Sequence, residues 1–75
     1  MKELVEFIAK SLVDNPDEVI VDEVEDDDSL ILKLKVAQND MGKVIGKQGR
    51  IANAIRTVVK ASAVKQNKRV VVEII

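Results

Sequence analysis

The residues best suited to chemistry are Val44-Ile45-Gly46-Lys47-Gln48-Gly49-Arg50, a basic turn set between two segments with helical hydrophobic spacing. Gly46 and Gly49 lack a Cβ, so the turn can take left-handed backbone angles and another polymer's backbone can come into van der Waals contact with it. A helix starting just after Gly49 would add unpaired N–H groups and the positive end of its dipole, a setting suited to a phosphate. The chemistry is therefore a grip on an anionic strand. Lys47, at the tip, is the first candidate for a phosphate contact, Lys43 and Arg50 stand beside it, and the Gln48 amide can hydrogen-bond. Val44 and Ile45 lead into the turn. Aliphatic residues at helical spacing are usually buried, so these two and Ile55 read first as core and second as walls of a groove for bases.

Other chemistries find little support. The chain has no histidine and no cysteine, and its hydroxyls, Ser11, Ser29, Thr57 and Ser62, have no evident base beside them; no enzyme and no cofactor is expected. The acidic run Glu25-Asp26-Asp27-Asp28 offers the hard oxygens a divalent cation favours. Its spacing is not that of an EF-hand loop, and a solvated charged turn accounts for it, so no metal site is expected. Gly42-Lys43-Val44-Ile45-Gly46-Lys47-Gln48 superficially resembles the phosphate loop of nucleotide hydrolases. That loop needs four residues between its glycines and Ser or Thr after the lysine, whereas this chain has three and Gln48.

Seventy-five residues make one small domain, 1–75, expected to bury about 60–65% of the surface its unfolded chain exposes, which favours a groove over an enclosed cavity. Phe7 is the sole aromatic residue, which almost excludes base stacking on aromatic rings as a binding device. Without cysteine nothing calls for an oxidising compartment, and no apolar run approaches the ~20 residues of a membrane span. A soluble, cytoplasmic protein is the expectation. The net charge of −1 conceals a lopsided distribution: residues 1–32 carry eleven acidic and two basic side chains, residues 33–69 ten basic and one acidic. Because the Debye length is about 8 Å at physiological salt, a polyanion feels the basic patch more than the distant acids.

These residues need elements to position them. Leu4, Val5, Ile8, Leu12 and Val13 fall on one side of a helix over residues 2–13, which Asn15-Pro16-Asp17 terminates. Residues 18–25 read as a strand of uncertain register, Asp26-Asp27-Asp28-Ser29 as a hairpin turn, and residues 30–36 as a half-buried strand with Leu30, Leu32, Leu34 and Val36 on one face. Asn39 or Asp40 can cap a short helix ending at Gly46. A longer helix over residues 50–64 would bury Ala52, Ile55, Val59 and Ala63, with Ile51 and Val58 facing either core or groove. Gln66-Asn67 interrupts the pattern, and residues 69–75 form a last strand. A β-αα-β crossover makes its two strands parallel. The predicted fold is α+β, a three-stranded mixed sheet with helices on one face and Lys33 and Lys35 on the other. Arg56 and Lys60 read as a solvent-facing pair. Lys65, Lys68 and Arg69 either extend the basic track or are solvated loop charges.

The element order α-β-β-α-α-β, with Ile45-Gly46-Lys47-Gln48-Gly49 at the helix-to-helix junction, resembles a type II KH domain. Residues 40–50 together with Ala54-Ile55-Arg56-Thr57-Val58 resemble the small single-KH proteins of bacteria, the KhpA family, over nearly the whole chain. The resemblance implies a cytoplasmic single-stranded RNA-binding protein whose GxxG loop clamps the phosphate backbone, acting as an RNA chaperone or post-transcriptional regulator. It also implies self-association as a homodimer, or pairing with a larger KH-containing protein of the Jag type. Two departures stand out: Ala52 occupies a position where many KH domains carry a large aliphatic, and acids crowd the first hairpin. The alternative is a protein–protein interaction module in which the glycine turn is only structural.

Overall fold

Leu30, Leu32 and Leu34 alternate with Ile31, Lys33 and Lys35, and this run becomes the central strand of a three-stranded sheet. In a computed structural model, which describes residues 1–64 and 67–75, the elements are α1 (Lys2–Leu12), β1 (Ile20–Glu25), β2 (Ser29–Lys35), α2 (Met41–Ile45), α3 (Arg50–Val64) and β3 (Arg69–Ile74). Short 3-10 turns occupy Pro16–Glu18, Gln38–Asp40 and Lys47–Gly49. Strand order is β1-β2-β3, with β1 antiparallel and β3 parallel to β2. The α+β architecture expected from the sequence is the one observed, and its order is that of a type II KH fold.

The register left open for β1 is set by pairing. Val21 lies opposite Leu34 and is buried, whereas Ile20 and Val24 turn to the open face and are about half exposed. Glu23 and Glu25 share the inner-face parity of Val21 but remain exposed. The hairpin turn is held by Asp26, whose Oδ1 accepts the Asp28 and Ser29 N–H groups and the Ser29 hydroxyl. Lys68 pairs with Glu25, and Arg69 N–H donates to the Asp28 carbonyl, so the acidic turn abuts the segment that follows α3.

Val5 and Ala9 of α1, Val44 of α2, and Ala52, Ile55, Val59 and Ala63 of α3 are the buried helical residues that close over the inner face. The α3 stripe is the one its spacing predicts. Helix α1 is shorter than expected, ending at Leu12 with Val13 already extended, and α1 buries Ala9 rather than Leu12, which is 37% exposed.

The cap of α2 departs from the expectation. Asp40 occupies the N-cap position but makes no capping bond to its own helix. Its carboxylate, 1% exposed, instead accepts the Asp14 N–H at 3.2 Å, the Asn15 N–H at 3.0 Å and the Asn15 side-chain amide at 3.0 Å. The preceding 3-10 turn already supplies a local bond to the first residue of α2, which frees the carboxylate to tie the chain leaving α1 to the start of α2.

Candidate nucleic-acid interface

The turn at 46–49 is built by backbone angles that few residues tolerate. Gly46 adopts φ 76°, ψ 174°, a region accessible essentially to glycine alone, and Gly49 adopts φ 76°. Gln48 between them is also left-handed, at φ 59°, ψ 26°. The sequence reading anticipated such angles at the glycines only. Gly46 N–H closes α2 on the Gly42 carbonyl at 2.9 Å, and Gly49 N–H donates to the Gly46 carbonyl at 3.2 Å. Beneath the turn lies Ile51, which packs on the core.

The candidate residues divide by environment. Lys47 and Gln48 are exposed at the tip, and Arg50 is exposed at the first position of α3. Val44 is fully buried and Ile45 partly so, packed against the core. Lys43 is exposed but engaged: its ammonium pairs with Asp14 and lies 3.9 Å from Asp40. The hydrogen bond to Asp14 raises the Lys43 pKa, with the Asp14 and Asp40 charges adding to it against a partial desolvation. Among the described residues, Lys47, Arg50, Arg56 and Lys60 make no ion pair.

Beyond the turn, α3 presents two different sides. On one, Gly49, Asn53, Arg56 and Lys60 follow one another at spacings of three and four, so they share a face. Asn53 approaches Gly49, its Nδ2 lying 4.0 Å from where a Cβ would stand. Arg56 and Lys60 line a cleft of about 160 Å³ against Val70, Val71 and Val72. This volume is well below the ~300–1,000 Å³ of small-molecule pockets. The placement corrects the solvent-facing reading for Arg56, whose Nε donates to the Val72 carbonyl at 3.3 Å, while Lys60 is exposed as that reading has it. Arg69 and Ile75 give their N–H groups to Asp28 and Leu34 on the β2 side. Val70, Val72 and Ile74, of opposite parity, therefore direct their N–H and C=O groups to the free edge beside that cleft. On the other side of α3, Ile51, Ala54, Ile55 and Val58 form an apolar groove with Ile8 and Leu12 of α1, and Arg50 stands at its margin.

The acidic hairpin is far from the turn. It abuts residues 68–69 behind the C-terminal end of α3, while the turn precedes its N-terminal end, and a fifteen-residue helix spans about 22 Å. That exceeds the Debye length of about 8 Å more than twofold. Of the loop cations, Lys68 is paired with Glu25, Arg69 is exposed in β3 and Lys65 lies outside the described residues, as does the neutral Gln66. Among the described residues no helix is long and apolar enough to cross a membrane.

Asn53 was missed in the sequence, although the spacing from Gly49 through Asn53 and Arg56 to Lys60 was a visible signal for it. The edge position of β3 follows from the hairpin and the parallel crossover that the sequence already implied.

Comparison with known proteins places the chain in a family. The family model for the KH domain of KhpA/KhpB matches residues 2–74. The chain is 76% identical over 75 residues to the RNA-binding protein KhpA of Clostridium acetobutylicum and 73% identical to that of Clostridium perfringens, covering the whole of each. It is 56% identical over 73 residues to the RNA-binding protein KhpA of Borreliella burgdorferi, spanning 97% of this chain and 89% of that one. These relatives are named for binding RNA and not for a catalysed reaction. No solved structure gives a significant match. With the fold order, the glycine turn at the helix junction and full-length similarity in agreement, the chain belongs to the KhpA/KhpB family of KH-domain proteins.

Proposed function

We propose that this protein is a single-domain, single-stranded RNA-binding protein whose Gly46-Lys47-Gln48-Gly49 turn clamps the phosphate backbone. The observation that carries the reading is the contrast within one short segment: Val44 and Ile51 anchor the turn from below, while Lys47 and Gln48 are exposed at its tip and Lys47 has no acidic partner among the described residues. Naming of the relatives as RNA-binding supports it. In this reading Lys47 and the N–H groups opening α3 hold a phosphate, Gln48 adds a hydrogen bond, and Arg50 adds charge. Lys43, already engaged by two aspartates, contributes to the local field more than to a direct contact, and Val44 and Ile45 support the turn. The strand continues along Asn53, Arg56 and Lys60, with bases toward the free edge of β3. Such a module grips about four nucleotides. Low sequence selectivity follows, and a role as a cytoplasmic RNA chaperone or post-transcriptional regulator suits it.

The Lys47→Asp/Gln48→Asp double substitution tests the clamp. Both side chains are exposed, so the fold survives while two anions face the phosphates, and affinity for single-stranded RNA should be lost. Unchanged affinity would refute the clamp. The wild-type salt titration should give a log–log slope of roughly −2, for about three phosphates on a single strand.

The apolar groove of Ile8, Leu12, Ile51, Ala54, Ile55 and Val58 favours a protein contact in addition, either a second copy of the chain or a larger KH-containing protein of the Jag type. A second module raises the effective concentration of the first on one strand, which compensates for a short footprint. Sedimentation of wild type and Val58→Asp tests this contact: a wild-type homodimer that dissociates in the variant supports the second copy.

A further inference from the structure

The sheet ends in two edge strands, β1 and β3, and the two edges carry opposite charge. Beside β1, the Asp26 N–H donates to the Ser29 carbonyl. By alternation Ile20, Asp22 and Val24 bond to β2, and Val21, Glu23 and Glu25 direct their N–H and C=O groups outward. Asp22 and Glu23 stand exposed along this edge. The β3 edge, where Val70, Val72 and Ile74 direct theirs, is flanked by Arg56, Lys60 and exposed Arg69. Among the described residues, Asp22, Glu23 and Arg69 make no ion pair. An open edge is a template for another strand. Pairing of like edges is disfavoured here, because acids would face acids or cations face cations.

Direction and register narrow the fit. Strand β1 is antiparallel and β3 parallel to β2, so a second copy that continues the sheet brings its β1 antiparallel to β3. Outward backbone groups must meet, which sets the second copy's Val21 opposite Val70, Val72 or Ile74 of the first. Opposite Val70, it puts the second copy's Asp22 against Arg69 and its Ile20, 49% exposed, against Val71, 41% exposed. In the other two registers Asp22 faces Val71 or Glu73, so only the first sets it on a cation. That register also spares the Arg56 bond to the Val72 carbonyl. Val72 then meets Val19, whose N–H is already held by the Pro16 carbonyl.

We propose that the β3 edge accepts the β1 edge of a second copy in this register, and that this contact and an RNA strand exclude one another. The exclusion rests on the clamp reading, in which bases lie toward the same edge; the strand pairing does not. The overlap of about four residues falls far short of the ~800 Å² per partner of a standard interface, so the contact is transient and RNA displaces it. Being head-to-tail, it leaves a free edge at each end.

The chain has no cysteine, so single cysteines report the register. Ile20 and Val71 would form a non-hydrogen-bonded pair with Cα atoms about 4.5 Å apart, within the span a disulfide bridges. Under mild oxidant, Ile20→Cys mixed with Val71→Cys should give the mixed dimer, resolved by mass, about tenfold faster than Val24→Cys mixed with Val71→Cys. Adding Asp22→Arg to the first chain should remove the advantage, and adding Arg69→Asp to the second should restore it. Equal rates in the two mixtures, or no rescue by the paired reversal, overturns the strand pairing. Excess short single-stranded RNA should slow the fast mixture, and should not do so when both chains also carry Lys47→Asp/Gln48→Asp. Fast crosslinking unchanged by RNA that anisotropy shows to be bound overturns the exclusion. RNA binding retained in the Lys47→Asp/Gln48→Asp variant removes the clamp and leaves the pairing standing.

Discussion

Gly46 is seated directly on Ile51: a Cβ at position 46 would lie 2.6 Å from Ile51 Cγ1 and 2.9 Å from its Cβ and Cδ1. The turn is thereby pinned to the first turn of α3, and its exposed tip is presented by a packed base. Real Cβ contacts do not come this close, so any side chain at 46 must displace Ile51 from the core contacts it makes.

Gly46→Ala is expected to cost about 3 kcal/mol, combining backbone strain of about 1–3 kcal/mol with overpacking of similar size. Against a total of about 4–11 kcal/mol for a chain of this length, that is a severe loss. Ile51→Ala placed in the same chain should restore only part of it, because the φ strain remains. A double-mutant cycle by urea unfolding measures the coupling; strict additivity would contradict the contact.

Gln48 is left-handed without being glycine, so residues at this position rank by tolerance of that conformation. Gln48→Asn should be near neutral, and Gln48→Val should lose about 1–2 kcal/mol. Denaturant midpoints check the order. Equal stability of the two variants would show that position 48 does not hold this conformation in solution.

Arg56 both closes the Val72 carbonyl and supplies charge beside the cleft. Arg56→Ala should weaken single-stranded RNA binding about tenfold and make the salt slope shallower by about 0.7. Arg56→Lys should keep the slope while losing the fixed guanidinium geometry. Titrations at several salt concentrations distinguish a lost phosphate contact from a lost packing contact, since only the former changes the slope.

Stability should fall off on both sides of neutrality. Burial favours the neutral form of Asp40, but hydrogen bonds from the Asn15 side chain and the Asp14 and Asn15 amides, with the Lys43 charge, outweigh it and hold the carboxyl below the ordinary ~3.9. Asp26 is lowered too, first by the Asp28 N–H and then by the Ser29 hydroxyl and N–H. A carboxyl depressed in the folded state binds fewer protons there than in the unfolded chain. Its contribution is therefore complete above about pH 4–5 and lost as pH falls through the folded value. Lys43 is raised above its ordinary ~10.4, so its contribution is complete below that and lost as pH climbs through the higher folded value. In Tm measured against pH, Asp40→Asn should flatten the acid limb and Asp14→Asn the alkaline one. An unchanged acid limb in Asp40→Asn would contradict the role given to that carboxylate.

The order of elements, the parallel partnership of β2 and β3, and the stripe of Ala52, Ile55, Val59 and Ala63 were legible in the linear chain. Apolar residues at a period of two or about 3.6 must face one side, and glycines at a helix junction mark a turn. These are local consequences of backbone geometry, and Gly46-Lys47-Gln48-Gly49 with its neighbouring cations was readable for the same reason. What the tertiary structure alone decided was who stands opposite whom. It turned Asp40 from a helix cap into a buried tie to Asn15, engaged Lys43 with Asp14, set Arg56 against the free edge of β3, and placed the acidic hairpin at the far end of α3. Each of these joins segments distant in sequence, and a side chain's pattern reports which face it takes but not which neighbour the folded chain brings to that face.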